Sequence, residues 1–216
     1  MEAFSNYTAQ YEWLERDGMI LSVKPDVHFN CIPSRILYQS IRDGFEQAGL
    51  ASGDELMSLM AQLQEIHDAR YENMRRKHRP THLVFSLPAM KRFMQTGVLT
   101  DQFFIQRAYT PQERREIIRD LWQQAQENPF FQIHFLRDEE KELHNEMTFY
   151  ENKGVLLLDA YTGYDLYEDH SEALITLPAF VESFHKFFME QLLTRMVMPQ
   201  AEGLAELEKL YLEMKV

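Results

Sequence analysis

Helical and strand patterns are segregated along this chain, and their order limits the folds that it can adopt. Apolar residues recur at helical spacing through most of the first half, whereas short apolar runs bounded by turn residues prevail in the second half. A fold with an alternating parallel sheet would interleave the two patterns. The order therefore predicts an α+β fold, in which helices pack a mixed or antiparallel sheet of about five to seven strands.

A single domain is expected, because no internal repeat and no linker rich in Gly, Ser or Pro divides the 216 residues. It comprises a helix-rich segment at 1–79, a sheet-rich core at 80–198 and an amphipathic C-terminal helix at 203–215. One cysteine is present, which excludes an internal disulfide. The longest strongly apolar run, Val155 to Leu158, is far shorter than the roughly 20 residues that span a bilayer. We expect a cytoplasmic protein.

Two helices have clear start signals. Ser52 and Glu55 have the spacing of a capping box, and apolar residues then keep helical spacing until a basic run that ends at Pro80. Thr110 and Glu113 repeat this signature, with a proline at the first helical position. The sequence therefore predicts its longest helix before Pro80 and another helix from Thr110.

Two hairpins are predicted from turn residues between short apolar runs. Lys24-Pro25-Asp26 separates two runs in residues 19–32, and Glu151 to Gly154 separates two runs in residues 147–158. In the second hairpin, Gly154 is expected to supply the positive φ angle. Further strands are predicted at residues 81–87, 103–105, 130–136 and 173–177.

Charge is distributed unevenly, although the formal net charge of −12 opposes non-specific binding to nucleic acid. Residues 70–119 carry eleven Lys or Arg against four Asp or Glu, which leaves −19 on the remainder. Folding can interleave the two populations, or it can form a basic face for an anionic ligand. Binding of nucleic acid by the basic residues at 70–79 is a further alternative, but we predict no direct contact with nucleic acid.

Familiar signatures of catalysis are missing from the sequence. The chain contains no glycine-rich phosphate loop, no Gly-x-Ser-x-Gly nucleophile elbow and no His-Glu-x-x-His motif. Cys31 and His28 would point to opposite faces of a strand, so we expect an inert buried thiol and not a nucleophile. No cofactor is predicted.

Two short groupings have the spacing of metal ligands. The run Glu142-Leu-His144-Asn-Glu146 alternates and would place its ionisable side chains on one face of a strand. Glu182 and His185 have the spacing found in carboxylate-bridged helical bundles, but no second such pair accompanies them. A solvated edge and an isolated helical pair are the simpler interpretations, so no metal is predicted.

A ligand pocket is one interpretation of the aromatic residues. The helix that starts at Pro178 carries phenylalanines at helical spacing, which usually form a core and sometimes line a cavity. The segment 159–172, rich in acids and tyrosines, is either a polar loop or the rim of such a pocket. The candidate ligand-binding residues are Arg107, Phe135, Tyr150, Tyr161 and Phe184.

An interface between subunits is expected on the C-terminal helix. Apolar side chains recur there at helical spacing and would form an exposed stripe if the chain were monomeric. We therefore predict a homo-oligomer, such as a dimer, that covers this stripe. Its residues are Leu204, Leu207, Tyr211 and Met214.

The second half of the chain resembles part of a known kind of regulator. A Thr-Pro-Gln-Glu-Arg helix start, "NPFFQIHFL", "YENKGVLLL" and "LITLPAFVESFHKFFMEQL" follow one another in that order. Residues 80–195 thus resemble the region after the small DNA-binding domain of Cro/repressor-like helix-turn-helix regulators from Gram-positive bacteria. The resemblance implies effector sensing or dimerisation. No helix-turn-helix is evident before residue 80, so no DNA-contacting residue is transferred, and whether a DNA-binding segment precedes Met1 stays open.

We therefore predict a non-enzymatic domain of a transcriptional regulator that senses a small-molecule ligand, forms oligomers or does both. The alternative is a small cytoplasmic enzyme that assembles its site from dispersed residues and acts on an anionic substrate. Its acid–base groups would be His134, His144 and Asp159. Its anion-binding groups would be Arg107, Arg114 or Arg115.

Overall fold

The computed structural model describes residues 12–27, 29–49, 54–75, 78–99, 106–137, 146–158 and 172–213. In these residues the chain forms a six-stranded mixed sheet packed by helices, which confirms the predicted α+β fold. The strands stand in the order β3-β2-β1-β4-β5-β6 across the sheet. Their bounds are Ile20–Lys24 (β1), Thr81–Phe85 (β2), Phe131–Phe135 (β3), Glu146–Tyr150 (β4), Gly154–Leu158 (β5) and Glu172–Ile175 (β6).

The two halves of the sheet differ in strand direction. β1, β2 and β3 run parallel, whereas β4 pairs antiparallel with β1, and β5 and β6 continue the antiparallel half. Parallel neighbours need long crossover connections, and two helices form each of them here. These helices are α1 (Ser34–Gln47) and α2 (Asp54–Met74) after β1, and α3 (Leu87–Thr96) and α4 (Pro111–Glu127) after β2.

Three further helical segments follow β6: α5 (Pro178–Phe187), a π-helix (Phe188–Met196) and α6 (Gln200–Glu213). Between the last two, the Met198 N–H donates to the Phe135 carbonyl at 2.7 Å. The Arg137 N–H donates to the Met196 carbonyl at 2.8 Å. Both bonds cover the outer edge of β3 at its end, which protects that edge from pairing with another chain. None of the described helices is both long and apolar enough to cross a membrane.

Helices cover both faces of the sheet. On the face that we call the first face, α1 to α4 and α6 enclose the larger apolar core. On the opposite, second face, α5 and the π-helix pack over β1, β4 and β5, and Phe188 lies 5.4 Å from Phe149, ring centroid to ring centroid. The strand residues in the larger core are Leu83, Phe85, Phe131, Ile133 and Phe135.

The predicted helix signals are confirmed where the structure describes them. The Thr110 hydroxyl accepts from the Glu113 N–H at 3.3 Å, and the Glu113 carboxylate accepts from the Thr110 N–H at 2.8 Å, which completes the capping box of α4. Gly97 ends α3 in the left-handed conformation, with a φ angle of 73°. Ser52 and the side chain of Glu55 lie outside the described residues.

The hairpin predicted over residues 19–32 is wrong. Phe29–Cys31 form a 3₁₀ turn, and β1 has β2 on one side and β4 on the other. A returning strand would find no free edge on β1, and the chain enters α1 after Pro33 instead. The strand predicted at 103–105 lies outside the described residues.

The second predicted hairpin is confirmed, but its turn uses a different residue. β4 and β5 pair antiparallel up to Tyr150 opposite Gly154. The positive φ angle, 61°, belongs to Asn152, a residue type that tolerates the left-handed region. Gly154 is required by space, because a Cβ atom there would lie 2.9 Å from the backbone oxygen of Ile175 on β6.

Candidate functional site

The strand order shows where successive strands stop adding to one edge of the sheet and begin adding to the other edge. From β1 the chain first adds β2 and β3 on one side, and later β4, β5 and β6 on the other. In open parallel α/β sheets, ligands bind outside the carboxyl ends of the strands at such a switch point; in this sheet β1, and not the antiparallel β4, presents its carboxyl end there. The switch point of this sheet lies between β1 and β4, where the carboxyl end of β1 adjoins the start of β4.

A buried ion pair occupies the switch point. Lys24 ends β1, Glu146 begins β4, and the Lys24 ammonium contacts the Glu146 carboxylate. Each of these two side chains is only 3% exposed. On the same face, Ser22 and Thr148 stand opposite each other and hydrogen-bond through their hydroxyls at 3.0 Å. A buried polar strip therefore crosses β1 and β4 on the first face.

More polar side chains are buried where β1 and β2 end. Asp26 and Asn30 follow β1, Ser86 follows β2, and none is more than 3% exposed. The Ser86 N–H donates to the Pro25 carbonyl at 3.1 Å, which joins the two loops. Polar groups removed from water are costly unless they are hydrogen-bonded or paired, so such a concentration of buried polar side chains at the end of a sheet is unusual. We call Lys24, Asp26, Asn30, Ser86 and Glu146 the switch-point cluster.

Three arginines of the basic residues at 70–79 are engaged inside the protein. The Arg70 Nε donates to the Glu15 carboxylate at 2.8 Å, and Arg79 donates to the backbone carbonyl of Glu15. An Arg75 Nη lies 2.6 Å from the Asp120 carboxylate. The ion pairs of Arg70 with Glu15 and of Arg75 with Asp120 join charges that are distant in sequence. They agree with an interleaving of acidic and basic residues on folding, which is one of the two arrangements that the sequence allows.

Arg107 is already paired with two carboxylates. Its Nη1 lies 2.8 Å from Glu113, and its Nε lies 2.7 Å from Asp43. The hydrogen bond to Glu113, followed by that to Asp43, raises the pKa of Arg107 above its usual range, and Arg107 lowers the pKa of Glu113 to about 2. Arg114 is buried and donates to the carbonyl of Met94. Neither arginine offers an open anion site.

The structure does not bring the predicted ligand-binding aromatics together. Phe135 lies in the larger core of the first face, and Tyr150 belongs to a separate small cluster on that face. Phe184 lies on the second face and packs against Phe188. The sheet separates Phe184 from the other two, so the three cannot line one pocket. Tyr161 lies outside the described residues.

The apolar stripe of the C-terminal helix packs within its own chain. Leu207 is fully buried in the larger core, and Leu204 packs against that core. The Tyr211 ring stacks on Trp122 of α4, with centroids 6.2 Å apart. The chain itself covers Leu207 and partly covers Leu204 and Tyr211, and whether these residues also meet a second subunit stays a prediction. Met214 lies outside the described residues.

A buried histidine pair lies on the second face. His82 on β2 and His134 on β3 place Nδ1 of the first 3.2 Å from Nε2 of the second, and their rings are inclined by only 19°. Burial lowers the pKa of both rings, and burial together with His82 lowers that of His134 to about 4. Of the two, only His134 is a candidate from the sequence, because His82 becomes its neighbour only through the register of β2 and β3.

The metal-ligand groupings and the enzyme residues suggested by the sequence lie only partly within the described residues. Glu146 is buried at the switch point and does not lie on the solvated edge that the sequence suggested. His185 stacks on Phe149, with centroids 5.6 Å apart. Within the described ranges, no group of three or more His, Cys, Asp or Glu side chains is placed to hold a metal ion. His144 and Asp159 lie outside these ranges.

The prediction of a buried thiol is confirmed. Cys31 is fully buried at the end of the 3₁₀ turn. Burial raises the pKa of its thiol to about 11, although nearby arginines and Lys24 act in the opposite direction. The thiolate is the reactive form, so this cysteine is inert at neutral pH.

Comparison of the chain with protein-family models, with curated proteins and with solved structures finds no match. The fold and the site therefore define the class. It is an α+β protein with a mixed sheet, in which helices on one face connect the parallel strands and a buried ion pair joins β1 to β4.

Proposed function

We propose that this chain is a non-enzymatic effector-binding domain of a cytoplasmic transcriptional regulator, and that a small polar effector binds at the switch-point cluster. The buried Lys24–Glu146 pair at the switch point is the observation that carries the proposed site. The regulatory role is supported by the resemblance of residues 80–195 to the effector regions of helix-turn-helix regulators.

The chemistry of the pair favours a ligand that carries charge of both signs. A buried ion pair contributes little to stability compared with apolar residues of similar volume, because both charges lose their hydration. Ionisable groups in such surroundings are concentrated at functional sites. Lys24 supplies ammonium donors and Glu146 supplies carboxylate acceptors, so a small zwitterion, such as an amino acid, can exchange for either partner.

The loop after β1 argues against a dinucleotide as the effector. Residues 25–33 contain no glycine, whereas dinucleotide-binding loops use glycines to let the backbone approach the pyrophosphate. Pro33 precedes α1 and has no backbone N–H to offer to a phosphate. The local sequence thus favours a ligand held by side chains.

Self-association remains part of the proposal, and α5 with the π-helix offers a second surface for it beside α6. Large apolar side chains are exposed on or beside α5 and the π-helix, namely Leu177, Phe187, Met189 and Met196. A contiguous exposed apolar patch marks a protein interface, and we infer that these four residues form one. Light scattering of the full chain over a concentration series measures the oligomeric state directly, and a monomer at every concentration would contradict this part.

The effector site is tested by thermal and urea unfolding in the presence of individual amino acids and small dicarboxylates. A ligand at about 100 times its Kd adds about 2.7 kcal/mol to the free energy of unfolding. The double variant Lys24→Met/Glu146→Leu should lose this increment, because both polar partners are gone while the volume is kept. Lys209→Met, which removes a charge that is 56% exposed, should retain it. The proposal fails if no compound stabilises the wild type or if the double variant responds equally.

A further inference from the structure

One continuous helix covers the second face of the sheet. α5 passes into the π-helix without a break, because Phe187 and Phe188 both keep helical backbone angles. Val181, Phe188 and Leu192 are buried in the core of the second face, so the opposite side of the helix carries its exposed residues. We propose that this exposed side pairs antiparallel with the same side of a second copy of the chain, about a two-fold axis beside Phe188. The inference rests on the self-association included in the proposed function and names its surface and geometry.

Charged side chains alternate in sign along the exposed side. Glu182, Lys186 and Glu190 are exposed and follow one another at intervals of four residues. Residues at this interval form a ridge on a helix, and helices pack against each other along such ridges. Parallel pairing of two copies would place Lys186 against Lys186 and Glu190 against Glu190. Like charges in contact oppose association, so the charge pattern disfavours a parallel pair.

Antiparallel pairing turns the same pattern into attraction. Lys186 and Glu190 are equally distant from Phe188 in sequence, so a two-fold axis beside Phe188 sets Lys186 of each copy against Glu190 of the other. The symmetry makes this contact twice. Phe187 and Met189 stand next to the ridge on either side of Phe188 and are 43% and 39% exposed. Pairing would remove part of their apolar surface from water, while the two ion pairs fix the register.

The size of this surface predicts a dimer that dissociates on dilution. α5 and the π-helix contain 10 and 9 residues. At about 1.5 Å per residue, together they are no more than about 28 Å long. A contact between two such helices lies at the low end of specific interfaces, below about 1,200 Å² of total buried area, where transient complexes are found. Salt should weaken the dimer further, because it screens exposed ion pairs.

Charge reversal on the full chain tests the pairing, with sedimentation equilibrium over a concentration series as the measurement. Lys186→Glu and Glu190→Lys should each weaken dimerisation by about tenfold or more, because each sets like charges against each other at both symmetric contacts. An equimolar mixture of the two variants should form heterodimers of wild-type affinity, since every reversed charge then meets its opposite. Lys209→Glu, at an exposed lysine of α6, should change nothing. A mixture that stays monomeric would mean that the substitutions act within one chain, and it would overturn the proposal.

The double reversal Lys186→Glu/Glu190→Lys guards against variants that fold poorly, because it keeps opposite charges four residues apart within the helix. It should dimerise as the wild type does, yet form no heterodimer with the wild type. Native mass spectrometry with isotope-labelled wild type separates the species. Heterodimers in statistical proportion, or a wild-type dimer that tolerates both single reversals, would place the interface elsewhere and overturn this inference alone. A wild type that is always monomeric would contradict the proposed self-association as well, whereas ligand-induced stabilisation tests the effector site separately.

Discussion

Removal of one partner of the Lys24–Glu146 pair should destabilise the chain far more than removal of both. Glu146→Leu takes the carboxylate away from an ammonium that is only 3% exposed, and Lys24→Met does the converse. Breaking a buried pair in this way costs about 3–5 kcal/mol. The double variant Lys24→Met/Glu146→Leu leaves neither charge, so its free energy of unfolding should be unchanged or higher by about 1–4 kcal/mol.

The expected coupling follows from these values. If each single substitution costs about 3 kcal/mol or more and the double substitution costs nothing, the coupling energy is at least about 6 kcal/mol. Arg35 and Glu116 provide a matched control, because they also form an ion pair between residues that are distant in sequence. Unlike the Lys24–Glu146 pair, this one is accessible to water, since the Arg35 side chain is 72% exposed. The same cycle on that pair should give only about 0.2–1 kcal/mol, because water screens it.

Urea unfolding at pH 7 measures both cycles, with far-UV circular dichroism and tryptophan fluorescence as independent probes. Coincident transitions would justify the extrapolated free energies. A domain with a total stability of about 5–15 kcal/mol keeps a folded baseline for at least the milder single variant. The reasoning is refuted if each single variant costs less than about 1 kcal/mol, or if the double variant loses the sum of the two.

Acid should destabilise the chain, because His134 has a pKa of about 4 when folded and binds its proton near pH 6.5 when unfolded. Stability should fall by up to about 3 kcal/mol as the pH drops from 6.5 to about 4, and His134→Gln should flatten this part of a pH series of urea midpoints. Leu207→Ala should cost about 2–5 kcal/mol in urea unfolding and leave the molar mass by light scattering unchanged, because Leu207 is buried within one chain. Thr110→Ala should cost about 1 kcal/mol in the same assay through loss of the α4 cap, whereas Thr110→Ser should retain most of it.

Local signals predicted the local structure well. The capping box at Thr110, the C-terminal stop at Gly97 and the turn at Glu151 to Gly154 depend on contacts within a few residues, so the sequence contains all their determinants. Such local signals could not predict which strands pair with β1. A run of residues after Lys24-Pro25-Asp26 resembles a returning strand, but β2 and β4 already occupy the edges of β1.

The site could not be predicted for the same reason. Lys24 resembles a turn residue and Glu146 resembles part of an acidic edge, and only the strand order makes them neighbours. One signal was nevertheless present in the sequence. Helical patterns separate the predicted strands near residues 20, 83 and 133. Strands joined through helices are usually parallel, so this order already indicated a parallel half-sheet that contains β1, β2 and β3.

The polar strip has a second consequence, which is separable from ligand binding. Ser22 stands opposite Thr148, and Lys24 contacts Glu146, so the strip favours one register of β4 on β1. A slip by one residue would turn Glu146 and Thr148 to the second face and leave Lys24 without this carboxylate, at about 3–5 kcal/mol. In the apolar double variant, cross-strand NMR contacts report the register and ligand-induced stabilisation reports binding. Loss of the ligand response with the register intact assigns the pair to the effector, whereas loss of both assigns it to strand pairing.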